Sequence, residues 1–133
     1  MSRKEAAGVA STIKLESVIS GYLAELNGKY KLRVSELTFE PNGYAGEHRH
    51  LAPGMRVVTA GELTLIQAGE TAVYKAGDAF YEPGDQTHVA HNRTNRPVVI
   101  LSFEVVPAEL RGSTRIPSLD KAGLDDAPDP ARC

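Results

Sequence analysis

Short stretches in which apolar and polar residues alternate run through most of this chain. Alternation with a period of two is typical of β-strands, because successive side chains point to opposite faces of a sheet. No stretch shows the apolar repeat of a convincing helix. The pattern predicts strands at Ile13–Glu25, Tyr30–Phe39, Glu47–Leu51, Met55–Thr59, Glu62–Gln67, Thr71–Lys75, Ala79–Glu82, Thr87–His91 and Val98–Val106.

Turn signals separate these predicted strands, since twelve glycines and eight prolines punctuate the chain. Asn27-Gly28 is typical of a β-hairpin, and Pro41-Asn42-Gly43 predicts a turn between the second and third strands. Short, regularly spaced strands joined by turns favour an all-β sandwich or barrel. The apolar residues predicted to lie in the core or at an interface are Val58, Leu63, Leu65, Val73, Phe80, Val99, Leu101 and Phe103.

The length of 133 residues predicts one domain with room for a core. We expect the barrel to span residues 13–107, after an N-terminal extension of residues 1–12. The character of the sequence changes after Pro107, so residues 108–133 are predicted to be a C-terminal extension. Ala108–Arg111 is a candidate for one helical turn, and the acidic, proline-containing tail from Ser118 for a loosely held segment.

The charge and composition argue against several classes of partner. The net charge is −2 and arginine and lysine form no cluster, which argues against nucleic-acid binding. No apolar run approaches the roughly 20 residues of a membrane helix, and the N-terminus lacks the apolar core of a signal peptide. The single cysteine, Cys133, allows no intrachain disulfide, which is compatible with a cytoplasmic location.

All four histidines fall in two short segments, Gly46–His50 and His88–His91. On a strand, His48 and His50 point to the same face, and His88 from another strand would complete a site with three nitrogen ligands. These three histidines are therefore the predicted ligands of a divalent transition metal. His91 follows His88 by three positions and should face the opposite way, toward the surface or an interface.

The two histidine segments resemble the paired motifs of the cupin superfamily. The first motif is a glycine, five residues, His-x-His, three or four residues, a glutamate, six residues and a glycine. His48, His50 and Gly61 match it, Gly43 is displaced by one position, and Gly54 stands where the glutamate is expected.

The second cupin motif is a glycine, five residues, Pro-x-Gly, two residues, a histidine, three residues and an asparagine. Gly77, Pro83, His88 and Asn92 match this spacing, while Asp85 replaces the second glycine. The resemblance covers about Tyr30 to Val106. It implies a small antiparallel jelly-roll β-barrel with little helix, usually dimeric, with a divalent metal held inside by the motif residues.

The missing glutamate changes the expected charge at the metal. Three neutral histidines leave one more positive unit than a site with a carboxylate, which should favour an anionic, chelating substrate. Some cupin dioxygenases, those acting on thiols, have such a three-histidine site. Glu82, six residues before His88, is a candidate substitute carboxylate, against the more usual interpretation as a solvated group.

Three further residues are candidates for binding a substrate. Alternation from position 54 points Arg56 inward, where it would bind a substrate carboxylate through two hydrogen bonds unless the register slips at Pro53-Gly54. Gln67 and Tyr81 are candidate polar members of the pocket, against plain surface positions.

These features lead to a functional hypothesis with two alternatives. The leading hypothesis is a metal-dependent oxygenase, or else an isomerase or lyase, acting on a small anionic molecule held in the barrel of a homodimer. One alternative is a non-catalytic cupin that binds or senses a small molecule. The other is a metal-free barrel whose histidines act as general bases or structural groups. Iron, nickel, zinc, manganese and copper all remain candidates for the metal.

Overall fold

The computed structural model describes residues 6–21 and 23–117, and this part of the chain consists of strands and loops without a helix. It therefore contains no helix that is long and apolar enough to cross a membrane. From Met55 onward the predicted strand limits agree with the observed ones within one residue. The nine strands are β1 Ala6–Val18, β2 Tyr30–His50, β3 Gly54–Ala60, β4 Glu62–Gln67, β5 Glu70–Lys75, β6 Ala79–Glu82, β7 His88–His91, β8 Val98–Pro107 and β9 Arg115–Pro117.

The strands form an antiparallel, nearly closed barrel. Their order is β5-β4-β7-β2-β8-β3-β6, with β1 and β9 also paired to β2. The first half of β2 pairs with β8 as far as Phe39, and its second half pairs with β7 from Tyr44. This long strand therefore belongs to both sides of the barrel, and the predicted all-β antiparallel fold is confirmed.

The turn predicted at Pro41-Asn42-Gly43 is a bend within β2, so the prediction of two separate strands is wrong. Asn42 has a φ of 64° and the pairing with β1 skips several residues here. The backbones also approach closely, because a Cβ on Gly43 would lie 2.5 Å from the carbonyl oxygen of Gly8. The turn residues allow β2 to pass from one side of the barrel to the other without ending.

The predicted limits of the first strand are also wrong, since β1 runs over Ala6–Val18 rather than Ile13–Glu25. Pairing with β2 decides this, because Ala6 lies opposite Ala45 and Val18 lies opposite Lys31. The segment before Ile13 has little apolar alternation and is held by backbone hydrogen bonds, which a side-chain pattern does not reveal.

The segment after β8 returns to the barrel. The candidate helical turn at Ala108–Arg111 is a single turn closed by the Leu110 N–H and the Pro107 carbonyl, 3.0 Å apart. Arg33 anchors this segment by donating to the carbonyls of Gly112 (2.6 Å) and Leu110 (3.2 Å). Strand β9 then pairs with the end of β2 that carries His48 and His50. The predicted tail from Ser118 lies outside the described residues.

The core fills the interior of the barrel. Four of the eight predicted apolar positions are buried in it, namely Val58, Leu63, Leu65 and Phe80. The other four lie on the outer face of their strands, and Val73 and Phe103 are 49% and 41% exposed. The buried cluster consists of Phe39, Ala45, Val58, Leu63, Leu65, Phe80, Ala90, Val98 and Ile100.

Candidate metal centre

The strand register brings three of the four histidines together. His48 and His50 are two residues apart on β2, and His88 on β7 lies directly opposite His48. The ring centroid of His48 is 4.3 Å from that of His88 and 5.0 Å from that of His50. One nitrogen of each ring lies within 4.8 Å of the others, so the predicted triad is assembled.

Two of the three imidazoles, those of His48 and His50, are held in their neutral form. Burial, together with the nearby His88, lowers the pKa of His48 to about 3. Burial also lowers the pKa of His50 well below its ordinary value, against the opposing effect of the Glu82 charge. Neutral imidazole is the form that binds a metal, so both rings are ready to do so at neutral pH.

Hydrogen bonds on the outer side fix the tautomers of two of these rings. His48 Nδ1 lies 2.6 Å from the Gly46 carbonyl, which can only accept, so Nδ1 carries the proton. His50 Nδ1 lies 2.9 Å from Thr114 Oγ1, whose own hydrogen is donated to Glu104 at 2.6 Å. Thr114 therefore accepts from His50, and both rings keep the Nε2 lone pair for a metal.

His88 provides the strongest observation in favour of a metal. Its side chain is fully buried, yet neither ring nitrogen has a partner with hydrogen-bond geometry. Nε2 does lie 2.8 Å from Glu82 Oε2, but the contact lacks the direction of a hydrogen bond. Buried polar atoms without partners are rare and costly, and a cation between His88 Nε2 and Glu82 would satisfy that nitrogen. The donor set therefore fits a divalent transition metal.

Arg56 points inward, as alternation predicts, and pairs with two buried carboxylates. Its Nε lies 2.8 Å from Glu82 Oε1, and its Nη2 lies 3.3 Å from Glu104 Oε2. Burial raises the pKa of Glu82, but the contacts with His88 and Arg56 outweigh it and lower the pKa below the ordinary value. Glu82 is therefore an anion beside the triad.

Glu104 and Thr114 also belong to the site, and neither is among the residues predicted from the sequence. Glu104 occupies an inward position of β8 in register with the apolar Ile100 and Val106, and a charge at such a position is a detectable signal. Thr114 has no comparable signal. It reaches His50 only because the segment after β8 folds back onto β2.

A cavity of about 360 Å³ adjoins the site. His48, His50, Arg56, Glu82 and Glu104 line it. This volume suits a small organic molecule, and the walls match one with an apolar body. The apolar lining residues include Val9, Leu37, Phe39, Leu63, Phe80, Ala90 and Ile100.

The structure does not bring the other predicted residues to the cavity wall. Tyr81 is 55% exposed on the outer face of β6. Gln67 lies opposite His88 in the β4–β7 pairing, and its buried Oε1 has no hydrogen-bond partner. Their roles in substrate binding remain predictions. His91 packs against Tyr44 outside the triad, with ring centroids 6.3 Å apart.

The neutral burial of His48 predicts a loss of stability in acid. In the metal-free protein, lowering the pH from 7.5 to 5 should protonate His48 in the unfolded chain (pKa 6.5) but not in the folded one (about 3). The unfolded state then binds more protons, so this residue alone should lower the free energy of unfolding by about 2 kcal/mol. Urea denaturation across this range measures the effect. His48→Gln should reduce the pH dependence, and an unchanged dependence would contradict the assignment.

A comparison with known protein families agrees with the motifs. The Cupin_2 family, described as a cupin domain, matches residues 35–104. The chain belongs to the cupin family. No curated protein matches it.

Several solved structures share this fold. KdgF from a Halomonas species is 19% identical, with a TM-score of 0.57 over 86% of this chain and 84% of that one. The polyketide cyclase RemF from Streptomyces resistomycificus is 20% identical, with a TM-score of 0.62 over 88% and 76%. The cupin domain of an XRE family transcriptional regulator from Enterobacter cloacae is 20% identical, with a TM-score of 0.54 over 74% and 96%. At these identities the likeness establishes the fold alone.

Two motif residues of this cupin have a structural role. Asn92 is fully buried and donates to the carbonyls of Phe39, Glu40 and Arg96, which ties the end of β7 to the bend in β2. Gly61 has a φ of 81°, and a Cβ there would overlap the Pro97 carbonyl oxygen. These two positions therefore maintain the barrel.

Proposed function

We propose that this cupin is a metal-dependent enzyme that oxygenates a small organic molecule inside the barrel. The observation that carries the proposal is the convergence of three buried imidazoles beside a largely apolar cavity. A bound divalent transition metal supplies Lewis-acid chemistry and, if redox-active, chemistry with dioxygen. The walls of the cavity are largely apolar, and the Gly46 carbonyl and Thr114 orient the His48 and His50 rings.

The charge around the triad is less positive than expected from the replacement of the motif glutamate by Gly54. One arginine and two glutamates adjoin the histidines, so Arg56, Glu82 and Glu104 together contribute one negative charge. The surplus positive charge inferred from the missing motif glutamate is therefore offset. Arg56 is also already paired, so it is a weaker candidate for binding a substrate carboxylate.

We therefore assign the recognition of an anionic substrate group to another arginine. Arg111 is exposed and lines the same cavity as the triad. A molecule with an apolar body and a carboxylate would place its apolar body among Phe39, Leu63 and Ile100 and its carboxylate near the Arg111 guanidinium. Substrate candidates for the oxygenase assay are chosen from this class.

Metal content and oxygen uptake test the proposed activity. Protein purified without an affinity tag or added metal should contain close to one equivalent of iron, measured by elemental mass spectrometry. The iron-loaded protein should then consume oxygen in the presence of small carboxylates with an apolar body. One equivalent of zinc, nickel or manganese without oxygen uptake would overturn the oxygenase proposal and favour isomerase or lyase chemistry.

A second candidate function is non-catalytic binding or sensing of a small molecule. One observation favours it, the pairing of Arg56 with both Glu82 and Glu104, which disfavours either carboxylate as a general base. The cupin domain of a transcriptional regulator also shares the fold. Tight ligand binding by a metal-loaded protein that leaves the ligand chemically unchanged would support this candidate against the enzyme.

We also propose that the cupin forms a homodimer through the outer face of one sheet. The pairing places Leu15, Val34, Phe103, Met55 and Tyr81 in one row across five strands. Four of these residues are 41% to 64% exposed, and the row contains no charge. A second copy related by a two-fold axis would set this row against itself and cover it.

Phe103→Glu should therefore convert the dimer to a monomer, because it places two like charges at the centre of the contact. Size-exclusion chromatography with light scattering measures the mass. Val73→Glu is the matched control, since Val73 is 49% exposed on β5, away from this row. A wild-type monomer, or a dimer that tolerates both changes equally, would contradict this interface.

A further inference from the structure

An arginine side chain occupies the space at the position where the cupin motif has its glutamate. Gly54 is buried at the start of β3, and a Cβ built on it would overlap Arg56 Nη1. The same Cβ would lie 3.0 Å from Cγ of Glu104. The Arg56 guanidinium thus fills the volume where a motif glutamate would begin, and a side chain at position 54 would have to displace it.

A carboxylate reaches the histidines from the neighbouring strand instead. Glu82 on β6 lies directly opposite Gly54 and is 5% exposed. Its Oε2 is 2.8 Å from His88 Nε2, and its Oε1 is 3.7 Å from His50 Nε2. The carboxylate therefore approaches the metal-binding nitrogens of two of the three imidazoles.

Arg56 holds this carboxylate by one oxygen and leaves the other turned toward the triad. Its Nε contacts Glu82 Oε1, while Glu82 Oε2 is the atom close to His88. His88 Nε2 and Glu82 Oε2 lie close together without hydrogen-bond geometry. A cation bound by both atoms is compatible with this short contact.

Glu104 is the second buried carboxylate, and it differs from Glu82 in one decisive respect. It contacts Thr114, Arg56 and the outer nitrogen of His50, Nδ1, at 2.6, 3.3 and 3.7 Å. Its contacts are thus with groups that orient His50 rather than with a metal-binding nitrogen. The chain therefore provides a matched control for Glu82.

We propose that Glu82 is the fourth protein ligand of the metal, relocated from the motif position to the adjacent strand, with Arg56 as its positioning residue. The proposal rests on the proposed function in that it requires the three histidines to bind a metal. The proposal extends that function because it adds a carboxylate to the three histidine ligands.

Titration with Co²⁺ tests this assignment, since the visible spectrum of Co²⁺ reports its ligands. Glu82→Gln should weaken Co²⁺ binding by more than about 100-fold and change the visible bands. Glu104→Gln should weaken it by roughly 10- to 100-fold, as expected for an outer partner, and leave the bands in place. Equal affinities and identical spectra for Glu82→Gln and the wild type would overturn the proposal.

A measurement on the unmodified protein covers the case in which Glu82→Gln does not fold. Zn²⁺ binding to the wild type should change the carboxylate stretching bands in an infrared difference spectrum, and unchanged carboxylate bands would overturn the proposal. If the wild type binds neither Co²⁺ nor Zn²⁺, the three-histidine metal site itself is wrong. If it binds them and Glu82→Gln binds them equally well, only the role of Glu82 is wrong.

Discussion

Replacing His88 by alanine is expected to abolish metal binding by the purified protein. His88 lies opposite His48 and closes the triad from β7, so its loss leaves only two histidines, both on a single strand. The affinity should fall by more than the 10- to 100-fold that loss of an outer partner costs. Elemental analysis after dialysis against one equivalent of Zn²⁺ should give close to one ion per chain for the wild type and almost none for the variant.

His91→Ala is the matched control for this experiment. His91 lies three residues farther along β7, but it packs against Tyr44 outside the triad. Its replacement should leave the metal content unchanged, while circular dichroism confirms that both variants fold. Equal metal content in all three proteins would contradict the three-histidine site, and equal losses in both variants would show an effect of β7 rather than of a ligand.

The histidine triad could be predicted from the sequence because its geometry is local. His-x-His on a strand needs only the two-residue period, and the motif spacing supplies His88. The inward direction of Arg56 follows from the same period. The partners of Arg56 do not, because Glu82 and Glu104 reach it from strands on either side of β3. Cross-strand register is fixed by the whole barrel, so a single-strand pattern identifies candidates but not contacts.

The errors in the predicted strand limits have a related cause. Pro41-Asn42-Gly43 has the composition of a turn, and it does bend the chain, but pairing with β7 beyond the bend keeps β2 continuous. The start of β1 and the path of residues 108–117 depend on backbone pairing with β2 and on the Arg33 anchor. Local composition therefore predicts where the backbone changes direction, whereas tertiary pairing decides whether a strand ends there.

The Arg56 network also shows why the loss of one motif residue need not remove a function. A glycine at position 54 makes room for a guanidinium, and this guanidinium pairs with two buried glutamates beside the histidines. The Arg56 guanidinium or the Glu82 carboxylate would be unfavourable if it were buried alone, since a buried charge without a partner is costly. Together they restore a negative charge at the triad, so Gly54, Arg56 and Glu82 are best regarded as one unit.

Replacing Arg56 by methionine should accordingly destabilise the metal-free protein by about 3–5 kcal/mol. The methionine retains much of the side-chain volume but leaves Glu82 and Glu104 buried without a cation. Chemical denaturation at pH 7.5 measures the free energy of unfolding. Arg93→Met, at an exposed arginine, is the control and should change stability by less than about 0.5 kcal/mol.

A double-mutant cycle with Glu82→Gln separates the charge pairing from the packing of Arg56. Glu82→Gln should destabilise the wild type, yet stabilise the Arg56→Met protein or leave it unchanged, because it removes a carboxylate that no longer has a partner. The difference in unfolding free energy between the wild type and Arg56→Met should also become smaller as the pH falls. The pKa of Glu82 is lower in the folded wild type than in the unfolded chain, so this residue stabilises the fold at pH values above its unfolded pKa. That contribution is lost in acid. Additive effects of the two changes would show that Arg56 acts by filling space above Gly54, and the pairing with Glu82 would then contribute little to holding the site together.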